Sequence, residues 1–352
     1  MSQPVKKDIR ALSREELRTF FKEQGRPAFR GDQVYQWLWT KGKGGFEDMT
    51  NLPLELREEL SREFAIHKVA VDQMQRSADG TIKNAVQLHD GLLVESVLIP
   101  TENRTTACVS SQVGCSLDCR FCATASLKRM RNLNPDEIYD QVFVIDQQSR
   151  HYFGRPLSNI VFMGMGEPLM NYNNVMKAIE RITAEDGLNM APRRITVSTS
   201  GVPKIMKKMA DEQPRFGLAV SLHAARDAVR TDIMPFNARM GLDQLKEAVA
   251  YWYEKTKSRV TYEYIVWKGI NDTPEDVQAL LDFCRAAPCK VNLIEYNPID
   301  GGAFQQASEK ALQMYITALE DVGITVTVRR SRGKDIDAAC GQLANKSVPK
   351  DS

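Results

Sequence analysis

Three cysteines lie within eight residues of this 352-residue chain, at Cys115, Cys119 and Cys122, with the spacing C-x3-C-x2-C. Soft thiolates this close together suit a metal, and iron–sulfur clusters are held by such thiolates. A four-iron cluster or a structural zinc ion normally takes four protein ligands, but no further cysteine or histidine follows until His151. A three-thiolate cluster leaves one iron free to bind another molecule. The same spacing also fits a zinc knuckle with a distant fourth ligand, or three buried thiols.

The cellular compartment decides how the seven cysteines of the chain are interpreted. The N-terminus is polar and lacks an apolar signal core, and no apolar run approaches the roughly 18 residues of a membrane span. We therefore expect a cytoplasmic protein, in which thiols bind metals, react or are buried rather than form structural disulfides. A hydrophobic content of 43% and a charged content of 26% are ordinary for a globular protein.

Four cysteines lie outside the motif. Cys284 ends an apolar helical pattern and Cys289 precedes a predicted strand, so both are predicted to be buried hydrophobic residues. Cys108 precedes the motif within another predicted strand. Cys340, near the C-terminus, could be a fourth metal ligand, a nucleophile or a bystander.

Two basic runs lie close to these cysteines in sequence. Lys128–Arg131 follows the motif, and Arg329–Lys334 holds four cations in six residues shortly before Cys340. Nearby cations lower the pKa of a thiol, and the same cations bind the phosphates of a nucleic acid. Since the net charge is only +2, a nucleic-acid surface has to be a local patch. Solvated surface charge is the competing interpretation.

The elements that must position these residues fall into four segments. Residues 1–68 predict a helical domain, because apolar residues recur at helical spacing behind capping signals. Residues 69–100 switch to a period of two and predict a β-extension with Asp-Gly turns. Residues 101–334 alternate strands and helices in six βα units with a trailing strand. Residues 335–352 form a C-terminal segment that carries Cys340.

Sustained alternation of strands and helices implies a parallel sheet with helices outside it. Six units fall short of the eight in a closed barrel. The predicted fold class is therefore α/β: a partial, TIM-like barrel of six βα units, with an N-terminal helical accessory domain and a β-extension. In such barrels the active site lies at the carboxyl ends of the strands.

Glycines and polar residues cluster where the predicted strands end. The second barrel strand is followed by the sequence GMGEP at 164–168, where glycines let backbone amides approach a ligand and a carboxylate can accept from an ammonium group. Later strands end at the STSG sequence of 198–201, at the SLH sequence of 221–223 and at Asn297. Each alone is explained by a turn or a helix cap. Their joint placement at successive strand ends predicts a binding site.

At this point the motifs resemble a known family. The three-cysteine motif after the first barrel strand, with GMGEP after the second, is similar to radical S-adenosylmethionine (radical SAM) enzymes. The longer sequences are more specific, and they are VSSQVGC at 109–115, STSG at 198–201, SLHA at 221–224 and DIDAACGQL at 335–343. Together they resemble the bacterial dual-specificity adenine-C2 methyltransferases of 23S rRNA and tRNA. The resemblance covers nearly the whole chain and implies that the predicted barrel is a radical SAM barrel.

The resemblance implies a role for each matching position. The metal ligands of a [4Fe-4S] cluster would be Cys115, Cys119 and Cys122, and the free iron would chelate the amino and carboxylate groups of SAM. The SAM pocket would be lined by Gly166, Glu167, Ser198, Ser221, Leu222, His223 and Asn297. The catalytic residues would be Glu95 as proton acceptor, Cys340 as the methyl carrier through S-methylcysteine, and Cys108 as its partner in a transient disulfide.

The implied reaction consumes two SAM molecules per turnover. C2 of adenine is an electrophilic ring carbon, so it cannot attack SAM in an ordinary displacement. The first SAM would methylate the Cys340 thiolate, which is a nucleophilic step. The second would give a 5′-deoxyadenosyl radical that abstracts hydrogen from the new methyl group, whose carbon then adds to C2. The thiol of Cys108 would release the product.

The resemblance also implies partners. The substrates would be an adenine in the peptidyl-transferase centre of 23S rRNA and the adenine next to the anticodon in tRNAs, each in an accessible, unstacked loop. An electron donor such as flavodoxin or ferredoxin would reduce the cluster. The protein would act as a monomer without a membrane.

Three alternatives stay open. A close relative that methylates C8 of the same ribosomal adenine shares most of these motifs. Another radical SAM class, such as an activase or methylthiotransferase, would keep the three cysteines without needing Cys340. A zinc-stabilised RNA-binding protein would use the cysteines only structurally.

Overall fold

The structure is a computed structural model that describes residues 6–41 and 45–345. Of the predicted C-terminal segment, residues 346–352 therefore lie outside the described ranges.

The N-terminal region is built from short helices. The side chain of Ser13 accepts from the backbone of Glu16 and the Glu16 side chain accepts from the backbone of Ser13, so a capping box begins the first long helix. Two-residue strands at the two ends of the region pair in parallel. The elements are β1 (Lys7–Asp8), a 3-10 turn (Ile9–Ala11), α1 (Arg14–Glu23), α2 (Phe29–Gln36), a π-helical turn (Trp37–Lys41), a 3-10 turn (Phe46–Asp48), α3 (Leu54–Glu63) and β2 (Phe64–Ala65).

An antiparallel ribbon follows, consisting of β3 (Ala70–Arg76), β4 (Ile82–Gln87), β5 (Leu93–Pro100) and β6 (Thr105–Cys108). Its first two turns place Gly80 and Gly91 at φ +86° and +80°, a conformation that glycine adopts without a steric penalty. Val97 of β5 lies opposite Cys108 of β6. The predicted β-extension is therefore continuous with the barrel sheet.

From β6 onward the sheet is parallel, and its spatial order follows the chain order. Each strand is followed by at least one helix, so the predicted six βα units and trailing strand are confirmed. Two short strands, β7 (Gln112–Val113) and β8 (Arg131–Asn132), pair on either side of the cysteine loop. The remaining strands are β9 (Asn159–Phe162), β10 (Ile195–Thr199), β11 (Gly217–Ser221), β12 (Val260–Ile265), β13 (Cys289–Ile294) and β14 (Thr325–Arg329).

The helices between these strands are α4 (Ala123–Ser126), α5 (Pro135–Phe153), α6 (Tyr172–Thr183), α7 (Pro203–Asp211), α8 (Asp227–Ile233), α9 (Leu242–Thr256), α10 (Pro274–Cys284) and α11 (Glu309–Asp321). Proline begins α5, α7 and α10, where its missing N–H costs no helical hydrogen bond. Every residue of β12 is buried, as expected for a parallel strand covered on both faces.

The buried Arg10 fastens the N-terminal region to the barrel. Its guanidinium binds both carboxylate oxygens of Asp140, over 2.9 and 2.8 Å, and Asp136 over 2.9 Å. Both carboxylates lie on α5, which also packs against β5 of the antiparallel ribbon and against β6. Burial raises the pKa of Asp136 to about 6, and Arg10 opposes that rise.

The C-terminal strap, defined here as residues 333–345, crosses the open side of the barrel. Among the described residues no backbone pairing joins β14 to β3. Instead, the strap meets the antiparallel ribbon through other contacts: Gly333 N donates to Asp79 Oδ2 over 3.0 Å, and Ser77 Oγ donates to Asp335 Oδ1 over 2.6 Å. Glu95 accepts from Ala344 N over 2.8 Å. The strap thus covers a gap that strand pairing leaves open.

Candidate active site

The carboxyl ends of the barrel strands surround one central cavity. Its wall combines the cysteine loop, the GMGEP loop and the ends of β10 to β13, as the barrel geometry predicts. Of the predicted site residues, the cavity is lined by Cys115, Cys119, Cys122, Gly166, Glu167, Ser198, Ser221, His223, Asn297 and Cys340.

The three motif cysteines stand together on one wall of this cavity. Burial raises the pKa of the Cys119 thiol, and the neighbouring thiols of Cys122 and Cys115 raise it further. A bound metal reverses this preference, because a coordinating thiol is deprotonated. The soft donor set and its shared wall therefore fit an iron–sulfur cluster. Within residues 6–41 and 45–345, no three Cys, His, Asp or Glu side chains are arranged around a single-ion position.

Glu167 is fixed by backbone amides from two strand ends. Its Oε1 accepts from Leu169 N over 3.0 Å and its Oε2 accepts from Ser200 N over 2.8 Å, while its own N–H donates to Gln112 Oε1 over 2.9 Å. Burial raises the pKa of this carboxyl. Gly166 beside it has φ +92°, and a Cβ there would lie 2.5 Å from Gln112 Cβ. Only glycine therefore fits this approach of the GMGEP loop to β7.

His223 follows β11 in the left-handed region at φ +57°. Burial, and then the positive charge of Arg230, lower the pKa of His223 to about 3, so its imidazole is neutral at physiological pH. Leu222 is fully buried and does not line the cavity. Its backbone N–H donates to Glu263 O over 3.0 Å, and its carbonyl accepts from Arg230 Nε over 3.0 Å.

Several buried polar atoms at the cavity have no protein partner. They are His223 Nδ1, Asn297 Oδ1 and Tyr296 Oη. A buried polar group without a hydrogen bond costs about 1–3 kcal/mol, so such atoms mark a place for a polar ligand. The set of a neutral imidazole, an amide oxygen and a phenol hydroxyl fits a zwitterionic, nucleoside-bearing molecule such as SAM.

Cys340 is carried into the site by the C-terminal strap. Asn297 Nδ2 donates to Cys340 O over 3.2 Å, and Ala123 N donates to Gly341 O over 2.7 Å. Cys340 lies between the central cavity and a second cavity, and it lines both. The residue is solvent-accessible from these cavities, yet surrounding protein atoms desolvate the sulfur and raise its pKa, while Arg329 lowers it.

The second cavity brings together Cys108, Cys340 and Arg329, which come from β6, the strap and β14. Cys108 is buried, and this burial raises its pKa. Because β6 and β14 are the two ends of the parallel part of the sheet, their meeting at one cavity shows that the sheet curves into a partial barrel. Arg329, Arg330 and Arg332 give this cavity a basic wall.

Glu263 was not among the predicted site residues. It lies on the fully buried strand β12, where it accepts from Arg329 Nη1 over 3.2 Å and from Asn292 Nδ2 over 2.8 Å. Its signal was an acidic residue inside an otherwise apolar run, VTYEYI. The basic run 329–334 is also divided by the fold, because Lys334 Nζ binds Glu295 Oε1 over 2.6 Å instead.

Glu95 lies outside both cavity walls. Its carboxylate pairs with Lys83 Nζ over 3.2 Å and accepts from the backbone amides of Ala344 and Asn345. Cys284 and Cys289 are buried at the opposite end of β13, as predicted, and Cys289 Sγ lies 3.9 Å from Cys284 O. They take no part in either cavity.

Across the described ranges, none of the helices combines the length and the apolar character that crossing a bilayer requires.

Two family models match the chain. The Radical SAM superfamily matches residues 109–284, and the ribosomal RNA large subunit methyltransferase N-terminal domain matches residues 7–66. A crystal structure of a radical SAM methyltransferase from Sphaerobacter thermophilus has a TM-score of 0.90 and 38% sequence identity, covering 96% of this chain and 99% of that one. Fold and site together thus define a radical SAM methyltransferase.

The relatives with similar sequences indicate which kind of radical SAM methyltransferase this is. A probable dual-specificity RNA methyltransferase RlmN from Christiangramia forsetii is 70% identical over 97% of both chains. The dual-specificity RNA methyltransferase RlmN of Anaeromyxobacter dehalogenans is 42% identical over 98% of this chain and 93% of its own. The chain belongs to the RlmN family of dual-specificity RNA methyltransferases. The predicted radical SAM RNA methyltransferase is confirmed, and the family implies a [4Fe-4S] cluster and SAM.

Proposed function

We propose that this protein methylates C2 of an adenine in the peptidyl-transferase centre of 23S rRNA and C2 of the adenine next to the anticodon in tRNAs. The observation that carries the proposal is the position of Cys340, which lines both the cavity of the cysteine loop and the basic cavity that holds Cys108. A methyl carrier has to reach a donor on one side and an acceptor on the other. This position serves both.

Three groups of residues divide the work. Cys115, Cys119 and Cys122 hold the cluster, and the polar atoms of Asn297, His223 and their neighbours bind SAM. When bound, the cluster and two SAM molecules per turnover supply a methyl group and a 5′-deoxyadenosyl radical. Cys340 holds the transferred methyl group as S-methylcysteine.

Product release is assigned to Cys108. It lines the same cavity as Cys340, so its thiolate would attack the Cys340 sulfur and break the carbon–sulfur bond to the base. The bonding electrons would stay with the carbon, which takes up a proton to become the methyl group, and a thiol reductant would then reopen the disulfide between Cys108 and Cys340. Glu95 is assigned as the proton acceptor by its place in the family motif, although its carboxylate is bound to Lys83 and the strap in this conformation.

The RNA partner is supported by charge. Arg330 and Arg332 line the second cavity beside Cys340, where they can bind phosphates next to an extruded adenine. The family model for the N-terminal region supports a ribosomal substrate for the whole chain. We place the reaction in the cytoplasm, with a flavodoxin or ferredoxin as electron donor and a monomeric enzyme.

The test is an anaerobic assay with SAM deuterated in its methyl group, protein-free 23S rRNA and tRNA transcripts. Mass spectrometry of the nucleosides should show labelled 2-methyladenosine from both RNAs, and peptide mass spectrometry should show a methyl group on Cys340. The Cys340→Ala variant should give neither signal, whereas Cys284→Ala should give both. Product found only as 8-methyladenosine would contradict the proposal and favour the C8 relative. A zinc-containing, iron-free protein would favour the RNA-binding alternative.

A further inference from the structure

The strap that carries Cys340 is held from two opposite sides. On the barrel side, Ala123 N donates to Gly341 O over 2.7 Å and Thr124 Oγ1 donates to Leu343 O over 2.6 Å. These two donors begin α4, directly after the cysteine loop. The other side of the strap faces the antiparallel ribbon. Two charged residues of this ribbon, Lys83 and Glu95, line neither cavity.

On the ribbon side the contact is a buried ion pair. Lys83 of β4 and Glu95 of β5 lie 3.2 Å apart, with only 5% and 2% of their side chains exposed. Lys83 Nζ also lies 3.5 Å from Asp337 O, three residues before Cys340. Glu95 Oε2 accepts from Ala344 N over 2.8 Å and from Asn345 N over 3.1 Å. The pair therefore holds the strap before and after the carrier cysteine.

The ion pair is itself placed rigidly. Ser110 Oγ donates to Glu95 O over 2.5 Å and accepts from Met165 N over 2.8 Å, which ties β5 to the GMGEP loop. Asn345 Nδ2 adds a bond to Leu93 O over 2.8 Å. A buried ion pair is costly to desolvate, so net stability alone does not account for this one.

We propose that Lys83 is a positioning residue for the methylation reaction: it fixes the Glu95 carboxylate as a clamp on the amides of residues 344 and 345, which seats Cys340 between the two cavities. This inference rests on the proposed carrier role of Cys340. Lys83 lies outside the motifs that carry the family resemblance. From the sequence alone it is a charged residue in a β-strand.

The clamp has a consequence for Glu95. In this conformation both of its oxygens are occupied, Oε1 by Lys83 and Oε2 by the two strap amides. An ionised carboxylate has about four lone-pair sites, so a proton from the adenine would have to reach one that Lys83 and the strap amides leave free.

The experiment compares the anaerobically purified full-length enzyme with Lys83→Met and Lys83→Arg by hydrogen exchange. In Lys83→Met, a strap peptide covering residues 341–345 should exchange about tenfold faster or more, because Glu95 is left buried without its partner. Lys83→Arg keeps the charge and should stay within about threefold of wild type. In the same proteins, the kcat for methyl loading of Cys340 should fall in Lys83→Met while the KM for SAM is unchanged.

Asn84→Ala is the matched control. Asn84 lies next to Lys83 on β4, is buried, and binds Gln148 over 2.9 Å rather than the strap. The Asn84→Ala substitution should lower the overall stability of the protein and leave hydrogen exchange of the strap unchanged. The inference would be overturned if the strap peptide of Lys83→Met exchanged at the wild-type rate. It would also be overturned if Asn84→Ala accelerated strap exchange as much as Lys83→Met does. If Lys83→Met does not fold, Glu95→Gln supplies the same comparison at unchanged size. A wild-type Cys340 that carries no methyl group would instead contradict the proposed function. Peptide mass spectrometry detects that outcome independently of hydrogen exchange.

Discussion

The side-chain amide of Asn297 donates to the backbone carbonyl of Cys340 over 3.2 Å, and the amide oxygen of Asn297 has no protein partner. Asn297 thus contacts the C-terminal strap through its side-chain nitrogen, and its side-chain oxygen is free to bind a ligand in the central cavity that the residue lines. The contact joins the end of β13 to the strap. It gives a predicted SAM-pocket residue a second contact, to the backbone of Cys340, the proposed methyl carrier.

Asn297→Ala should therefore slow methyl loading of Cys340 by about 10- to 100-fold, because misplacement of a nucleophile by a small distance has effects of this order. Peptide mass spectrometry of Cys340 over time measures the rate. Gln313→Ala, on the exposed face of α11, is a control that should load at the wild-type rate. A normal loading rate in Asn297→Ala would show that the hydrogen bond is dispensable.

Arg329→Gln should destabilise the protein by about 1–3 kcal/mol at pH 7, because it removes a charged hydrogen-bond partner from buried Glu263. Burial raises the pKa of Glu263 above its ordinary 4.5, and Arg329 lowers it, so the variant should have a still higher pKa there. A carboxyl whose pKa is higher in the folded state binds more protons when folded. The free energy of unfolding therefore falls as the pH rises from the ordinary pKa of 4.5, which applies to the unfolded chain, to the higher pKa of Glu263 in the folded state.

Urea unfolding at pH 5, 6 and 7 tests the predicted direction of this pH dependence. The stability difference between wild type and Arg329→Gln should grow from pH 5 to pH 7. Arg330→Gln, its exposed neighbour, should follow the wild-type curve. Parallel pH curves for Arg329→Gln would mean that Glu263 keeps its proton affinity without the guanidinium.

His223→Asn should remove part of the acid sensitivity of the fold. The pKa of His223 is about 3 in the folded state and 6.5 in the unfolded chain, so the unfolded state binds more protons between these values and stability falls as the pH is lowered through them. From pH 7 to pH 5 this linkage amounts to about 2 kcal/mol. Asparagine tolerates the positive φ of this position.

The measurement is the free energy of unfolding of cluster-free protein at pH 5 and pH 7. His223→Asn should lose less stability than wild type over this step, and His151→Asn, at an exposed position, should lose as much as wild type. An unchanged difference for His223→Asn would show that the imidazole becomes protonated in the folded state.

The cluster assignment is tested by replacing Cys115, Cys119 and Cys122 with serine. Anaerobically reconstituted wild type should contain about four iron atoms per chain, and the triple variant should contain almost none. Cys284→Ser, at a buried cysteine outside the cavity, should keep its iron. Iron at wild-type content in the triple variant would place the cluster elsewhere.

Local patterns in the sequence were sufficient for the barrel and for most of the central cavity. The βα alternation sets which strands are parallel neighbours, and the carboxyl ends of parallel strands meet at one edge. Residues such as Glu167 and Ser198 were therefore predicted correctly to lie together. How the β-extension joins the barrel sheet was left open, because Asp-Gly turns mark hairpins but do not reveal which strand pairs with β6.

Long-range placement decided the rest. A basic run of four cations offers no means of telling which one faces a thiol, and only the curvature of the sheet brings Arg329 from its last strand to Cys108 on its first parallel strand. The same holds for Lys83 and Glu95, which meet the strap because it covers the gap in the barrel. The sequence by itself determined the close grouping of the three motif thiols and the βα order, since both depend on near neighbours in the chain. The tertiary structure alone placed Cys340 between two cavities, since that position depends on contacts between segments far apart in sequence.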